Sequence, residues 1–239
     1  MRDKTIGLSG KDLKRKRVLA DDELRDVWQA AAGQGYPYGN LVQLLMLTGQ
    51  RLNDVACARR AEIDLKRGVL MVPPERYKTG VAQEVPLTPK AVELFRASMK
   101  FGESFVFSTT GGARPISGLS KMKERLDQAI ARRREEVGAG PMPAWVLHDL
   151  RRTLRTRLTS DIDVDAFIAE RVIGHALPGL HGVYDQGAHR DQKRRALEKW
   201  EARLLSIVEP KASLPPAQEQ ANVVRADEVE RARKRRRSA

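Results

Sequence analysis

The sequence predicts an α+β fold, mainly helical, with a small three-stranded antiparallel sheet. Apolar residues recur at helical spacing along most of the chain. One block, residues 62–87, breaks that period and reads instead as three short strands between turns. At 239 residues and 41% hydrophobic, the chain can bury a sizeable core, as one large domain or two small ones. Its net charge of +13 points to a polyanionic partner, nucleic acid before membrane. No apolar run approaches the ~20 residues of a membrane span. The start, M-R-D-K-T, is polar and carries no signal-peptide pattern. A single cysteine, Cys57, excludes an intramolecular disulfide and a multi-cysteine zinc site; it reads as a small core residue. A reducing, cytoplasmic and nucleoid-associated location fits this composition.

Residues 1–18 are short of apolar side chains and contain K-D-L-K-R-K-R, so they read as a basic linker or arm. Asp21 or Asp22 can cap a first helix running to about Ala32, with Leu24, Val27, Trp28 and Ala31 on one face. Gly33 and Gly35 end it, and Pro37 restarts the chain. Leu41 to Leu47 is densely apolar, which makes the second helix central. Thr48-Gly49 breaks it, and Arg51 opens a short helix, N-D-V-A-C-A. Taken alone, Arg51 is either half of a buried ion pair or a phosphate ligand, and Asp54 can pair with it or orient it.

The strands are Glu62 to Leu65, Val69 to Val72 and Gln83 to Leu87. K-R-G turns the first pair and E-R-Y-K-T-G-V-A joins the second, with Lys78 near the tip. Thr88-Pro89 starts a helix to about Met99 by N-cap and N1 logic. F-V-F-S is a short buried strand or turn. Ser117 to about Val137 is a long helix whose basic run, Arg132 to Arg134, reads as a solvated face, with phosphate contact as the alternative. Trp145 reads as core. Asp163 or Asp165 caps a helix through about Val172. From about Arg190 a last helix carries Leu197, Trp200, Leu204 and Val208 on one stripe. Residues 210–239 are Pro-, Ala- and charge-rich and read as a disordered basic tail.

The stretch from Val146 to Tyr184 carries the chemistry. H-D-L-R-R-T places His148 and Arg151 one helical turn apart, on one face. Asp149 sits in the first turn, where a carboxylate favours the helix dipole. I-G-H turns out of the next helix at Gly174 and His175, and Tyr184 follows nine residues later. Arginine, histidine and tyrosine together are what phosphodiester transesterification without a metal requires. The arginine neutralises phosphate, the histidine handles a proton and the tyrosine offers a nucleophilic oxygen. His181 and His189 read as structural. The spacings of His148, His175 and His181 match no compact metal-ligand pattern.

H-D-L-R-R-T, I-G-H and the tyrosine beyond them closely resemble the tyrosine recombinases of the phage-integrase type. T-G-Q-R-L-N-D adds the earlier arginine, Arg51, and R-Y-K-T-G adds the hairpin lysine, Lys78. The resemblance spans about Leu19 to Leu205 and implies a catalytic domain over 19–209. It implies that Arg51 and Arg151 clamp the phosphate and that His148 and His175 bond it and move the nucleophile's proton. Lys78 is then the general acid and Tyr184 the nucleophile. Asp54 is a supporting residue, although the family more often has Glu there. The implied activity is site-specific recombination of double-stranded DNA without a cofactor, integrating or excising a phage or genomic island. Alternatives are resolution of DNA multimers and a non-catalytic DNA-binding fragment. The family's separate DNA-clamping helical domain is not represented in these residues. Implied partners are further copies of the chain, as a tetramer on DNA held through the C-terminal segment, and an excisionase or DNA-bending protein.

Overall fold

The computed structural model describes residues 16–78, 80–101, 103–175 and 189–209. At its centre Leu41 to Leu47 form most of α2 (Tyr38–Thr48), in which Leu41, Val42, Leu44, Leu45, Met46 and Leu47 are all 2% exposed or less. A helix that is apolar all round has to be covered on all sides. It packs against α1 (Asp21–Gln34), α3 (Leu52–Ala56), α4 (Pro89–Ser98), α6 (Leu147–Ser160) and α8 (Arg190–Val208). The remaining helices are α5 (Leu119–Glu136), against α1, and α7 (Ala166–Val172), against α6 and α8. The chain divides into two units, Met1–Val208 and Glu209–Ala239, and only Glu209 of the second is described.

The α1 start differs from the sequence reading. Its N-cap is Ala20, and Glu23 turns back so that its carboxylate accepts from the Ala20 N–H at 2.8 Å. Asp21 instead pairs with Arg157 and Arg203, and Asp22 with Arg134. Asp21 and Asp22 are the first two residues inside α1, past the cap position, so their carboxylates are left to meet arginines from other helices. The same pairing corrects the reading of Arg132 to Arg134 as one solvated face. Arg134 is only 9% exposed. Its guanidinium donates to Asp26 at 2.6 Å, Asp22 at 3.1 Å and the Gly140 carbonyl at 2.6 Å. Arg133 also reaches Asp26, at 3.3 Å. A buried charge is tolerable only when paired and hydrogen-bonded, so Arg133 and Arg134 fasten α5 to α1, while Arg132 stays exposed.

The sheet has strands β1 (Ile63–Asp64), β2 (Val69–Val72) and β3 (Gln83–Pro86), antiparallel and in that order. Ile63 faces Leu70 and Leu70 faces Val85. The Asp64 carboxylate accepts from the N–H groups of Lys66 and Arg67, which closes the first turn. β3 lies against α8, where Glu84 pairs with Arg190 and Lys193 Nζ donates to the Glu84 carbonyl at 2.6 Å. Pro89 opens α4 as expected, but the Thr88 hydroxyl does not cap it; Glu201 of α8 accepts from the Lys90 N–H at 3.1 Å. Val106 and Phe107 are fully buried. Cys57 is half-buried rather than core.

The stripe on α8 is intramolecular. Leu197, Trp200, Leu204 and Val208 are each 1% exposed or less, and Trp200 Nε1 donates to the Met46 carbonyl at 2.8 Å. Any contact of the C-terminal segment with another copy therefore has to come from other residues.

Candidate active site

Four chain segments converge where α2, α6 and α7 end or begin. α2 stops at Gly49, whose φ of 62° is a left-handed turn that glycine adopts at little cost. Gln50 then ties two elements together, its Nε2 donating to the carbonyls of Thr48 and Val172, both at 2.9 Å. That linkage delivers Arg51 as the N-cap of α3. α6 begins at Leu147, with the buried Asp149 carboxylate accepting from the Val146 N–H at 2.9 Å. This fixes the phase of the helix, so His148 is exposed while Arg151, one turn on, is 3% exposed. Asp165, not Asp163, caps α7, accepting from Phe167 and Ile168. α7 ends at Gly174, and His175 emerges exposed beside it.

Arg151 Nη1 donates to the Gly49 carbonyl at 2.9 Å, binding α6 to the turn before Arg51. Arg51 sits 3.7 Å from the Asp54 carboxylate and 4.7 Å above the Tyr77 ring centroid, a cation–π geometry. One Nη atom of each arginine, Nη1 of Arg51 and Nη2 of Arg151, is buried without a hydrogen-bond partner among the described residues. Lys78 is exposed on the β2–β3 connection, directly after Tyr77. Tyr184 and His181 lie outside the described residues. His189 makes a local contact with Gln192 and an edge contact with Phe167, as a structural histidine does.

The charges act on one another. Burial, and then the Arg51 cation, push Arg151 down to about 10, so it remains a cation at neutral pH. Burial lowers His148 below its ordinary value, with Arg151 and Arg152 adding to it. Burial also lowers His175, with Arg151 adding and the Glu170 carboxylate opposing. Both imidazoles are thus mainly neutral at pH 7, each with one N–H donor and one acceptor nitrogen. Burial raises the Asp54 carboxyl against the pull of Arg51 and Arg151. The concentrated positive field suits a singly charged phosphodiester, and neutral histidines beside it can take or hold a proton.

Two residues of this site were not singled out by sequence. One is Glu170, in contact with His175. The other is Tyr77, a loop tyrosine by sequence but 5% exposed here, whose hydroxyl donates to the Gly174 carbonyl at 2.7 Å. It braces the strand connection against the Gly-His turn. A Cβ on Gly174 would lie 1.9 Å from the Tyr77 hydroxyl and 2.8 Å from Gln83 Nε2. Gly138 has the same φ of 66° with nothing within 4 Å. Gly138→Ala is therefore expected to cost about 1–2 kcal/mol from backbone strain alone, and Gly174→Ala about 1–3 kcal/mol more from overpacking. Denaturant unfolding of the two variants checks the difference; equal losses would remove Tyr77 as a close-packed neighbour.

The phage integrase family model matches residues 17–187. A prophage integrase of Escherichia coli (strain K12), IntZ, is 27% identical over 169 residues, 70% of this chain and 39% of that protein. The chain thus spans about two fifths of that relative's length. Among solved structures, a Tn1549 transposon integrase in complex with circular intermediate DNA superposes with TM-score 0.54 at 16% identity, covering 73% of this chain and 64% of that one. An integrase from mycobacterium phage Brujita gives TM-score 0.55 at 17% identity, covering 80% and 63%. A λ integrase dimer bound to a core site gives 0.50 at 22%, covering 70% and 60%.

Proposed function

Since the chain belongs to the phage integrase family, we propose that it cuts and rejoins double-stranded DNA through a 3′-phosphotyrosyl intermediate. Tyr184 is the nucleophile, and Arg51, Lys78, His148, Arg151 and His175 are its catalytic partners. The observation that carries this reading is the arginine pair. Two guanidiniums from segments 100 residues apart converge, each with a buried Nη that meets no hydrogen-bond acceptor among the described residues. The Asp54 carboxylate offsets part of the repulsion between the two cations, a phosphate would offset more, and the planar fork of arginine matches its non-bridging oxygens.

In the cleavage step Tyr184 Oη attacks phosphorus as its proton passes to His148 or His175. The P–O5′ bond breaks, and Lys78 protonates the departing O5′. The products are a 3′-phosphotyrosine and a free 5′-hydroxyl. The ester keeps the bond energy, so a second 5′-hydroxyl can reverse the step on another strand and exchange strands without ATP. Positioning and charge neutralisation supply most of the rate. Asp54 supports Arg51 from one side and the Tyr77 ring from the other.

We place the catalytic domain at residues 19–209, with a basic arm before it and a basic tail after it. The prophage relative favours integration or excision of a phage or genomic island over resolution of multimers. The λ integrase structure is a dimer on DNA, which supports assembly of several copies on the target; an excisionase or DNA-bending protein completes the expected partners. Among the described residues no helix is long and apolar enough to cross a membrane.

The test is a nicked duplex that traps the covalent adduct, run in excess EDTA. Arg51 and Arg151 supply the charge that a metal would otherwise supply, and the described residues hold no group of three or more potential metal ligands. The adduct is expected to form undiminished in EDTA and to map to Tyr184 by peptide analysis. Inhibition reversed by magnesium or zinc, or binding with no adduct, would overturn the proposal, the latter in favour of a DNA-binding module.

A further inference from the structure

We infer that Glu170 is a positioning residue that holds the proton of His175 on Nδ1 and thereby presents Nε2 to the reacting groups. This rests on the reading of His175 as a site residue given above. The local backbone brings the two side chains together. Gly174 has a φ of 66°, its N–H bonds the Arg171 carbonyl at 3.1 Å, and the His175 N–H bonds the Glu170 carbonyl at 3.0 Å. These are the two hydrogen bonds of a Schellman helix ending, which sets the second residue past the helix beside the residue five positions earlier. An apolar contact often occupies that place; here Glu170 Oε2 lies 2.6 Å from His175 Nδ1.

Glu170 is itself fixed. Its Oε1 accepts from Arg155 Nε of α6 at 2.7 Å. Burial works against its ionisation, but Arg155 and His175 outweigh burial and hold the carboxyl below its ordinary value. An ionised carboxylate only accepts hydrogen bonds. The nitrogen facing it must therefore carry the hydrogen, and the unprotonated nitrogen of a neutral His175 is Nε2. Free imidazole side chains favour the other tautomer, so the carboxylate reverses a default. The neutral ring then offers Nε2 as an acceptor for a hydroxyl proton, and once protonated offers an Nε2–H donor to phosphate. Among the described residues, the other charged or titratable groups acting on His175 are Arg151 and His148 on α6 and Arg51 at the start of α3. Burial, Arg151 and Arg51 disfavour its protonation, and among the described residues the Glu170 carboxylate opposes them.

The experiment uses ring nitrogen-15 spectra of the full chain, which has four histidines, assigned by single substitution. Above its titration His175 is expected to show a protonated Nδ1 and a bare Nε2. Glu170→Ala is expected to move the proton towards Nε2. Glu170→Gln keeps the side-chain volume but loses the charge, so His175 is expected to titrate at lower pH, and the corresponding limb of the cleavage profile to move with it. Cleavage of a nicked duplex by Glu170→Ala is expected to fall on the order of 10–100-fold, the effect of removing an orienting carboxylate from a metal-bound histidine, at unchanged DNA Kd. The same tautomer in parent and Glu170→Ala overturns the inference whatever the DNA assay shows. So does a tautomer change that leaves the cleavage rate and pH limb where they were. If the tautomer changes but the parent chain never forms an adduct, the recombinase reading fails while the effect of Glu170 on His175 stands.

Discussion

Tyr184→Phe is expected to abolish the covalent protein–DNA adduct while leaving DNA affinity close to that of the parent chain. The substitution removes one oxygen and keeps the ring, so folding changes by no more than one hydrogen bond, about 0.5–1.5 kcal/mol. The cationic groups that attract the phosphate remain. None of the other three tyrosines is placed to substitute. Tyr36 donates to the carbonyls of Val106 and Ser108, and Tyr38 to that of Ser117. Tyr77 lies beside Arg51, yet its hydroxyl is buried and committed to Gly174, and burial raises its pKa against the influence of Arg51. A phenol so held ionises less readily, which is the reverse of what a nucleophile needs. The check is a denaturing gel of trapped adduct alongside a binding isotherm. An adduct that persists in Tyr184→Phe, or that maps to Tyr77 in the parent, would place the nucleophile elsewhere.

The second large effect is expected at Arg151. Arg151→Ala should lower single-turnover cleavage by about 10²–10³, the usual loss when one preorganised donor to a developing charge is removed, with a much smaller change in DNA Kd. Stability shifts as well, because the Gly49 carbonyl loses its partner in a buried site, worth about 1–3 kcal/mol. Removing one of two neighbouring cations offsets part of that. Arg151→Lys separates the contributions. An ammonium keeps the charge but cannot hold the Gly49 carbonyl and a phosphate oxygen in one rigid plane. It is expected to fold better than the alanine variant and still to cleave slowly. Parallel losses in binding and cleavage in both variants would instead make Arg151 an ordinary backbone contact.

The sequence by itself determined the order of the elements and the phase of each. Short segments set between turn residues marked the three strands to within a residue or two, and the dense run from Leu41 to Leu47 marked the central helix. Spacing alone put His148 and Arg151 on one helix and Arg51 at the mouth of another, because these relations are local. The tertiary structure decided which distant groups meet. Asp21 and Asp22 look like caps until α1 begins with Ala20 at its N-cap, which leaves the two carboxylates to Arg157, Arg203 and Arg134 from α6, α8 and α5. Arg134 looks solvated until α1 covers it. Tyr77 looks like a loop residue until the α7 terminus comes down on its hydroxyl. Glu170 was within reach of the sequence, since a glutamate five residues before the histidine of a Gly-His helix ending is set beside it by local geometry. His148 and Arg151 share a face, yet one is exposed and the other nearly sealed, because the turn at Gly49 packs over only one of them. Periodicity encodes which face a residue occupies; it carries no information on which charge, a hundred residues away, that face will meet.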